Sequence, residues 1–292
     1  MKNSILLALI LLMAASCQKS KPVEDDLIST TFEAERNRFF MAIQSPAEVA
    51  ARLQDTGAAY NPGLMNDPLY YSSYTSNEVK AAANLGIYLS DLNYSIAYKQ
   101  SATSRELFQA VDELSKVVGI EQRVLGFLRM RYEQNIHQND SVKEVVDELL
   151  KNSLVGLQGT DREKFVGIVM AAYQIENLHL ALGIIQTYPK DLLPEDARTL
   201  VLVPAFQLIL AQQENLETIY AFLKTIADPT NPEKNPNFGY YATAFEELIA
   251  VYKRLDVADK LATNQGGALM TDAVVNELME KVSAIRNKVV GL

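Results

Sequence analysis

Ser76–Gln100, SNEVKAAANLGIYLSDLNYSIAYKQ, is the stretch whose reading decides the fold. Wound at about 3.6 residues per turn, it separates into three faces. Leu85, Leu89, Leu92 and Ile96 form a narrow aliphatic stripe. Ala82, Ala83, Gly86, Ser90 and Ala97 form a face of small side chains, where another helix backbone can come close. Asn84, Tyr88, Asp91, Ser95 and Tyr98 form a polar, half-aromatic face within roughly 80° of arc. A surface helix carries one apolar stripe and one charged face. This one has no charge from Asn84 to Tyr98 except Asp91, so it is expected inside the protein with neighbours on most sides. A buried carboxylate needs donors. Tyr88 one turn before Asp91, Ser95 one turn after and Tyr98 two turns after are the expected hydroxyls. The five polar-face residues are the candidate ligand groove if that face opens on a cavity, and a structural network if it does not.

The same residues carry a resemblance. NLGIYLSDLNYSIAYKQ, followed by a capped helix and a C-terminal segment ending AIRNKVVG, resembles a family of helical lipoproteins from Bacteroidota with no known activity. Members show similar Asn-Leu-Gly-x-Tyr and Asp-Leu-x-Tyr spacings in a mid-chain helix. The resemblance implies an all-helical envelope lipoprotein and no mechanism.

Residues 1–16 read as a targeting signal rather than part of the fold. Lys2 supplies the positive start, and Ile5–Met13 is an apolar run too short to span a bilayer as a helix. Ala14-Ala15-Ser16-Cys17 then presents small residues before a cysteine. This is similar to a lipobox, with Ala14 in place of the usual leucine, and makes Cys17 the expected lipidation site. Residues 17–29 are polar and charged and read as a flexible tether, leaving 30–292 as a single domain. By analogy with lipoprotein sorting, Gln18 after the cysteine favours the outer membrane. The acidic trio Glu24, Asp25 and Asp26 leaves periplasmic and surface faces both open.

Cys17 is the only cysteine, which excludes disulfides, thiolate metal sites and cysteine nucleophiles from the domain. The 27 basic residues less Lys2 leave 26 against 36 acidic ones, a formal charge of −10. Nucleic acid is therefore not an expected partner.

After the tether the chain reads as helix upon helix. Thr30/Glu33, Ser45/Glu48, Thr75/Glu78, Thr103/Glu106, Ser141/Glu144 and Thr160/Glu163 have capping-box spacing. Gly57, Gly119 and Gly159 follow apolar-periodic runs as stops. Later helices are expected over about Pro194–Gln213, Asn215–Ala227, Phe238–Ala262 and Thr271–Val290. No alternating β-branched run is present, so no sheet is expected. Phe165–Ile185 and Thr199–Gln213 are apolar nearly all round. Glu176 interrupts the first and the second is short, so both are expected as buried core helices rather than membrane spans. The fold class is all-α, a bundle of about ten antiparallel-packed helices. A tetratricopeptide-like solenoid is the alternative, since helix pairs recur every roughly 30 to 45 residues.

Chemistry is sparse. Glu176 and His179 have the Glu-x-x-His spacing of di-iron bundles, which need a second such pair and two further glutamates. The nearest second pair, Glu133 and His137, is spaced by four, with Gln134 where the glutamate belongs. No metal or other cofactor is therefore expected, and no Gly-x-Ser-x-Gly elbow, zinc motif or phosphate loop is present. Seven of fourteen tyrosines lie between Tyr60 and Tyr98. They read as packing residues or as walls of a ligand groove. The expected function is non-catalytic binding or scaffolding in the envelope, with a partner protein or glycan as ligand. A glycan hydrolase using paired carboxylates is the alternative.

Overall fold

The computed structural model describes residues 57–120, 122–135, 145, 148, 151, 155, 157, 160–227 and 236–291. The expectations for Cys17, residues 1–29, His137, Gly159 and the first, second and fifth capping boxes lie outside them. Among the described residues every regular element is helical, and the helices form an all-α bundle. They are α1 (Glu78–Ala97), α2 (Ser101–Val118), α3 (Gln122–Asn135), α4 (Lys164–Thr187), α5 (Glu195–Leu210), α6 (Gln213–Ile226), α7 (Pro236–Arg254), α8 (Val257–Ala262) and α9 (Asp272–Val290). Two 3-10 helices, Pro62–Leu64 and Pro68–Tyr74, organise the segment before α1, and a third spans Gly266–Leu269.

The small-residue face of α1 does what its composition allows. A Cβ on Gly86 would stand 2.4 Å from the Val169 carbonyl oxygen and 2.7 Å from the Tyr173 amide nitrogen. Only glycine lets the α1 and α4 backbones approach this closely. All residues of α1 from Ala81 to Ile96 are buried, and so is α4 from Phe165 to Ile185 except His179. Helix α4 is long and apolar enough to cross a membrane, but it is wrapped by the other helices, with 94% of its most apolar window enclosed.

Side-chain pairings give the directions of the helices. Gly86 meets Val169 while Ser90 meets Asn177, so α1 and α4 run in the same sense. Glu176 pairs with Arg286 and Gln186 with Asn276, so α4 and α9 are antiparallel. Gly167 against Phe222 and Gln174 against Asn215 make α4 and α6 antiparallel, as the Arg254–Glu277 and Lys281–Glu247 pairs do for α7 and α9. In a solenoid each repeat touches only its neighbours. Here the C-terminal helix packs on both α4 and α1, which is the connectivity of a bundle.

Helix ends depart from expectation where a better cap lies nearby. Helix α1 starts from Asn77, whose side chain accepts from the Val79 and Lys80 amides, while Thr75 bonds the Ser72 carbonyl. Asparagine is among the strongest N-caps, so it supersedes the Thr75/Glu78 box. Thr103 falls inside α2, which begins at Ser101 with no side-chain cap. Thr160 accepts from the Arg162 amide in a turn that leads into α4. Gly119 closes α2 at φ +92°, its amide bonded to the Ser115 and Lys116 carbonyls, as the glycine stop predicts. The stretch expected as one helix over 238–262 is two, α7 and α8. Asp256 breaks it at φ +53°, a left-handed conformation that aspartate tolerates better than most residues.

Candidate functional site

Three helices and the segment before α1 converge on a buried polar cluster. Asp91 comes from α1, Glu176 from α4 and Arg286 from α9. Asp91 and Glu176 are both 0% exposed. Arg286 donates from Nε to Glu176 Oε2 at 2.6 Å and reaches the Leu64 carbonyl with Nη2 at 3.5 Å. The Asn66 amide donates to Asp91 Oδ2 at 3.0 Å. The other oxygens, Asp91 Oδ1 and Glu176 Oε1, have no donor from the described residues. The two carboxyl groups are nonetheless in hydrogen-bonding range of each other.

The electrostatics follow from this crowding. Burial, then the adjacent Glu176 charge, push the Asp91 carboxyl well above the usual carboxylate range, against the pull of Arg286. Burial opposes the Arg286 charge, but Glu176 and Asp91 outweigh it and raise its pKa. His179 is lowered by burial, with Glu176 acting the other way, so the imidazole is held neutral. It lies against the Leu64 backbone and not in a ligand set. No group of three or more His, Cys, Asp or Glu side chains able to hold a metal occurs among the described residues.

The five candidate-groove residues are all enclosed: Asn84, Tyr88, Asp91 and Ser95 at 0% and Tyr98 at 6% exposure. None of their hydroxyls, expected on Asp91, bonds it. Tyr88 donates to the Asp67 carbonyl at 2.8 Å. Ser95 bonds the Leu92 carbonyl and Ser104, and the Tyr98 hydroxyl finds no partner among the described residues. Asn84 donates to the Lys80 and Val289 carbonyls. Helical spacing puts the side chains on one face, but the Tyr88 and Ser95 hydroxyls turn to the Asp67 and Leu92 carbonyls, while an amide serves Asp91 and a guanidinium its neighbour Glu176.

The tyrosines fasten the 57–74 segment to the core. Tyr60, Tyr94 and Tyr98 cluster with ring centroids 5.0 to 5.7 Å apart. The Tyr94 hydroxyl accepts from the Asn61 amide, and burial raises its pKa to about 12. Tyr74 donates to the Val290 carbonyl. This is the packing role, with the Tyr94 and Tyr74 hydroxyls bonded to an adjoining element.

Arg286 was the cluster residue hidden in the sequence. It lies one turn after Val282 and just before Val289, both buried on the inner face of α9. A cation on that apolar stripe, with Glu176 in an otherwise apolar helix, is the signal that the two belong together.

Solvent reaches a different feature. A cleft of about 500 Å³ lies between the C-terminal end of α4, the first turns of α5 and the start of α9. Gln186, Lys190, Glu195, Arg198, Asp272 and Asn276 supply its polar wall, with Ile185, Leu202 and Val275 beneath. Gln186 donates to Asn276 at 3.0 Å across it. No family model, curated protein or solved structure matches the chain.

Proposed function

We propose that the protein is a cell-envelope lipoprotein, anchored to the outer membrane through lipid on Cys17, whose helical domain binds or scaffolds a partner without catalysis. One observation carries the non-catalytic part. Asp91 and Glu176, the carboxylates that the fold brings together in the core, are sealed from solvent and committed to Asn66 and Arg286. Buried, cross-linked groups of this kind hold helices in register and have no path to a substrate. Recognition then falls to the exposed cleft, where amides, hydroxyls and both signs of charge stand over a small apolar floor. That chemistry suits an envelope glycan or a segment of a partner protein, and the excess of acidic residues disfavours nucleic acid. The small-residue box before the only thiol supports the anchor, and the resemblance of NLGIYLSDLNYSIAYKQ to Bacteroidota lipoproteins supports the location.

Fractionation of a Cys17→Ser variant tests the anchor: it is expected in the soluble fraction, and unchanged membrane association refutes lipidation. Calorimetry with envelope glycan fragments tests the domain. Binding is expected to weaken in Arg198→Ala and to release no new reducing ends. A second reading has its own observation, since Glu195 from α5 and Asp272 from α9 face the same cleft. Two carboxylates flanking a sugar are what a glycosidase requires. Reducing ends formed by the native chain and lost in Glu195→Gln or Asp272→Asn replace binding with hydrolysis.

A further inference from the structure

We infer that Asp91 and Glu176 bind one proton between Oδ1 and Oε1, and that this proton holds the 57–74 segment on the core. Each carboxyl has one donor. Asn66 serves one Asp91 oxygen and Arg286 Nε one Glu176 oxygen. The two remaining oxygens are buried without a donor, the two side chains that carry them meet, and an ionised carboxylate can only accept. A single proton gives both a partner: Asp91 Oδ1–H donates to Glu176 Oε1. Charge gives the same answer. Two carboxylates and one guanidinium carry a net negative charge into the core, and one proton cancels it.

Among the described residues, the groups facing the pair offer no other cation. The segment brings Asp67, Tyr60 and Tyr74, α1 its own Tyr88 and Tyr94, α4 His179 and α9 Arg286. Of these only Arg286 is positive, since burial keeps His179 neutral. The segment is the part of the structure that senses the proton. Its Asn66 amide is on Asp91, its Leu64 carbonyl is on Arg286, and its Asp67 carbonyl is on Tyr88, one turn along α1 from Asp91. Loss of the proton leaves two adjacent carboxylates sharing one guanidinium. Lifting the segment admits water and relieves that repulsion.

The sign follows from linkage. The Asp91 pKa is raised in the folded state. Its contribution is therefore fully present below the ordinary carboxylate range and is lost as pH rises through the folded value. Docking of the segment weakens on the alkaline side, by up to about tenfold in the opening equilibrium per pH unit for one proton.

Asp91→Asn tests this in the full chain. The amide keeps an acceptor for the Asn66 N–H and places a permanent N–H toward Glu176 Oε1, so it mimics the protonated pair. Hydrogen exchange of residues 61–67, corrected for intrinsic rates, is followed from mildly acidic to alkaline pH. Native protection is expected to fall as pH rises, while Asp91→Asn stays flat and denatures at higher urea than the native chain in alkaline buffer. The infrared band of a protonated carboxyl is expected in the native protein at neutral pH and shifted by isotope-labelled aspartate. That measurement needs no variant to fold. Absence of the band overturns the inference, as does pH-independent protection of the segment in the native chain. Stability that follows sodium or potassium concentration, with no band, assigns the site to a cation and also overturns it.

Discussion

Replacing Gly86 by alanine sets two effects of opposite sign against each other. In an exposed helix interior the change stabilises by about 1 kcal/mol, because alanine loses less backbone entropy than glycine. At Gly86 the new methyl meets backbone on its far side, 2.4 Å from the Val169 oxygen and 2.7 Å from the Tyr173 nitrogen. Ordinary contact begins near 3.4 Å, so α1 and α4 must separate by about 1 Å, and neither obstacle is a side chain able to swing away. Overpacking of this kind costs about 1–3 kcal/mol, occasionally more. A gap of about 1 Å also forfeits up to about half the attraction of each neighbouring contact. Along this seam the Ser90–Asn177 bond at 2.6 Å and the Asn93–Tyr173 bond at 2.9 Å would stretch as well, each worth about 1 kcal/mol. The net expectation is a loss of about 2–4 kcal/mol after the propensity gain. Gly126→Ala is the control: it sits in α3 with nothing within 4 Å of the new carbon, so only the propensity term remains and stability should rise. Urea denaturation followed by circular dichroism measures both. A Gly86→Ala protein as stable as the native chain would refute the close-approach account of the α1–α4 seam.

Other perturbations follow from the cluster and its cover. Arg286→Met strands Glu176 beside Asp91 in the core and is expected to cost about 3–5 kcal/mol in urea denaturation at neutral pH. Tyr88→Phe removes the 2.8 Å bond to the Asp67 carbonyl and should cost about 0.5–1.5 kcal/mol, with faster hydrogen exchange confined to the 57–74 segment. Elemental analysis of untagged protein should find no stoichiometric iron or manganese, and a signal lost in His179→Ala would overturn the assignment of Glu176 to Arg286.

The helical class and the interior position of α1 were legible in the sequence because both depend on local periodicity. A stretch with no charge from Asn84 to Tyr98 except Asp91 cannot face water on most sides, and glycine with alanines on one face marks where a second backbone fits. The same holds for α4, whose composition leaves it no solvent face, and for Gly119, whose stop needs only the helix it ends. Caps were less legible, since Thr75 and Asn77 compete within three residues and only the path of the incoming chain selects between them. What serves Asp91 was decided by tertiary structure alone. Helical spacing places Tyr88, Ser95 and Tyr98 beside it, yet hydrogen bonding depends on which carbonyls and cations arrive from elsewhere. Asn66, Glu176 and Arg286 come from 25, 85 and 195 residues away in the chain, and their meeting is a property of how α1, α4, α9 and the 57–74 segment close on one another. No periodicity within a single element encodes a contact made between four.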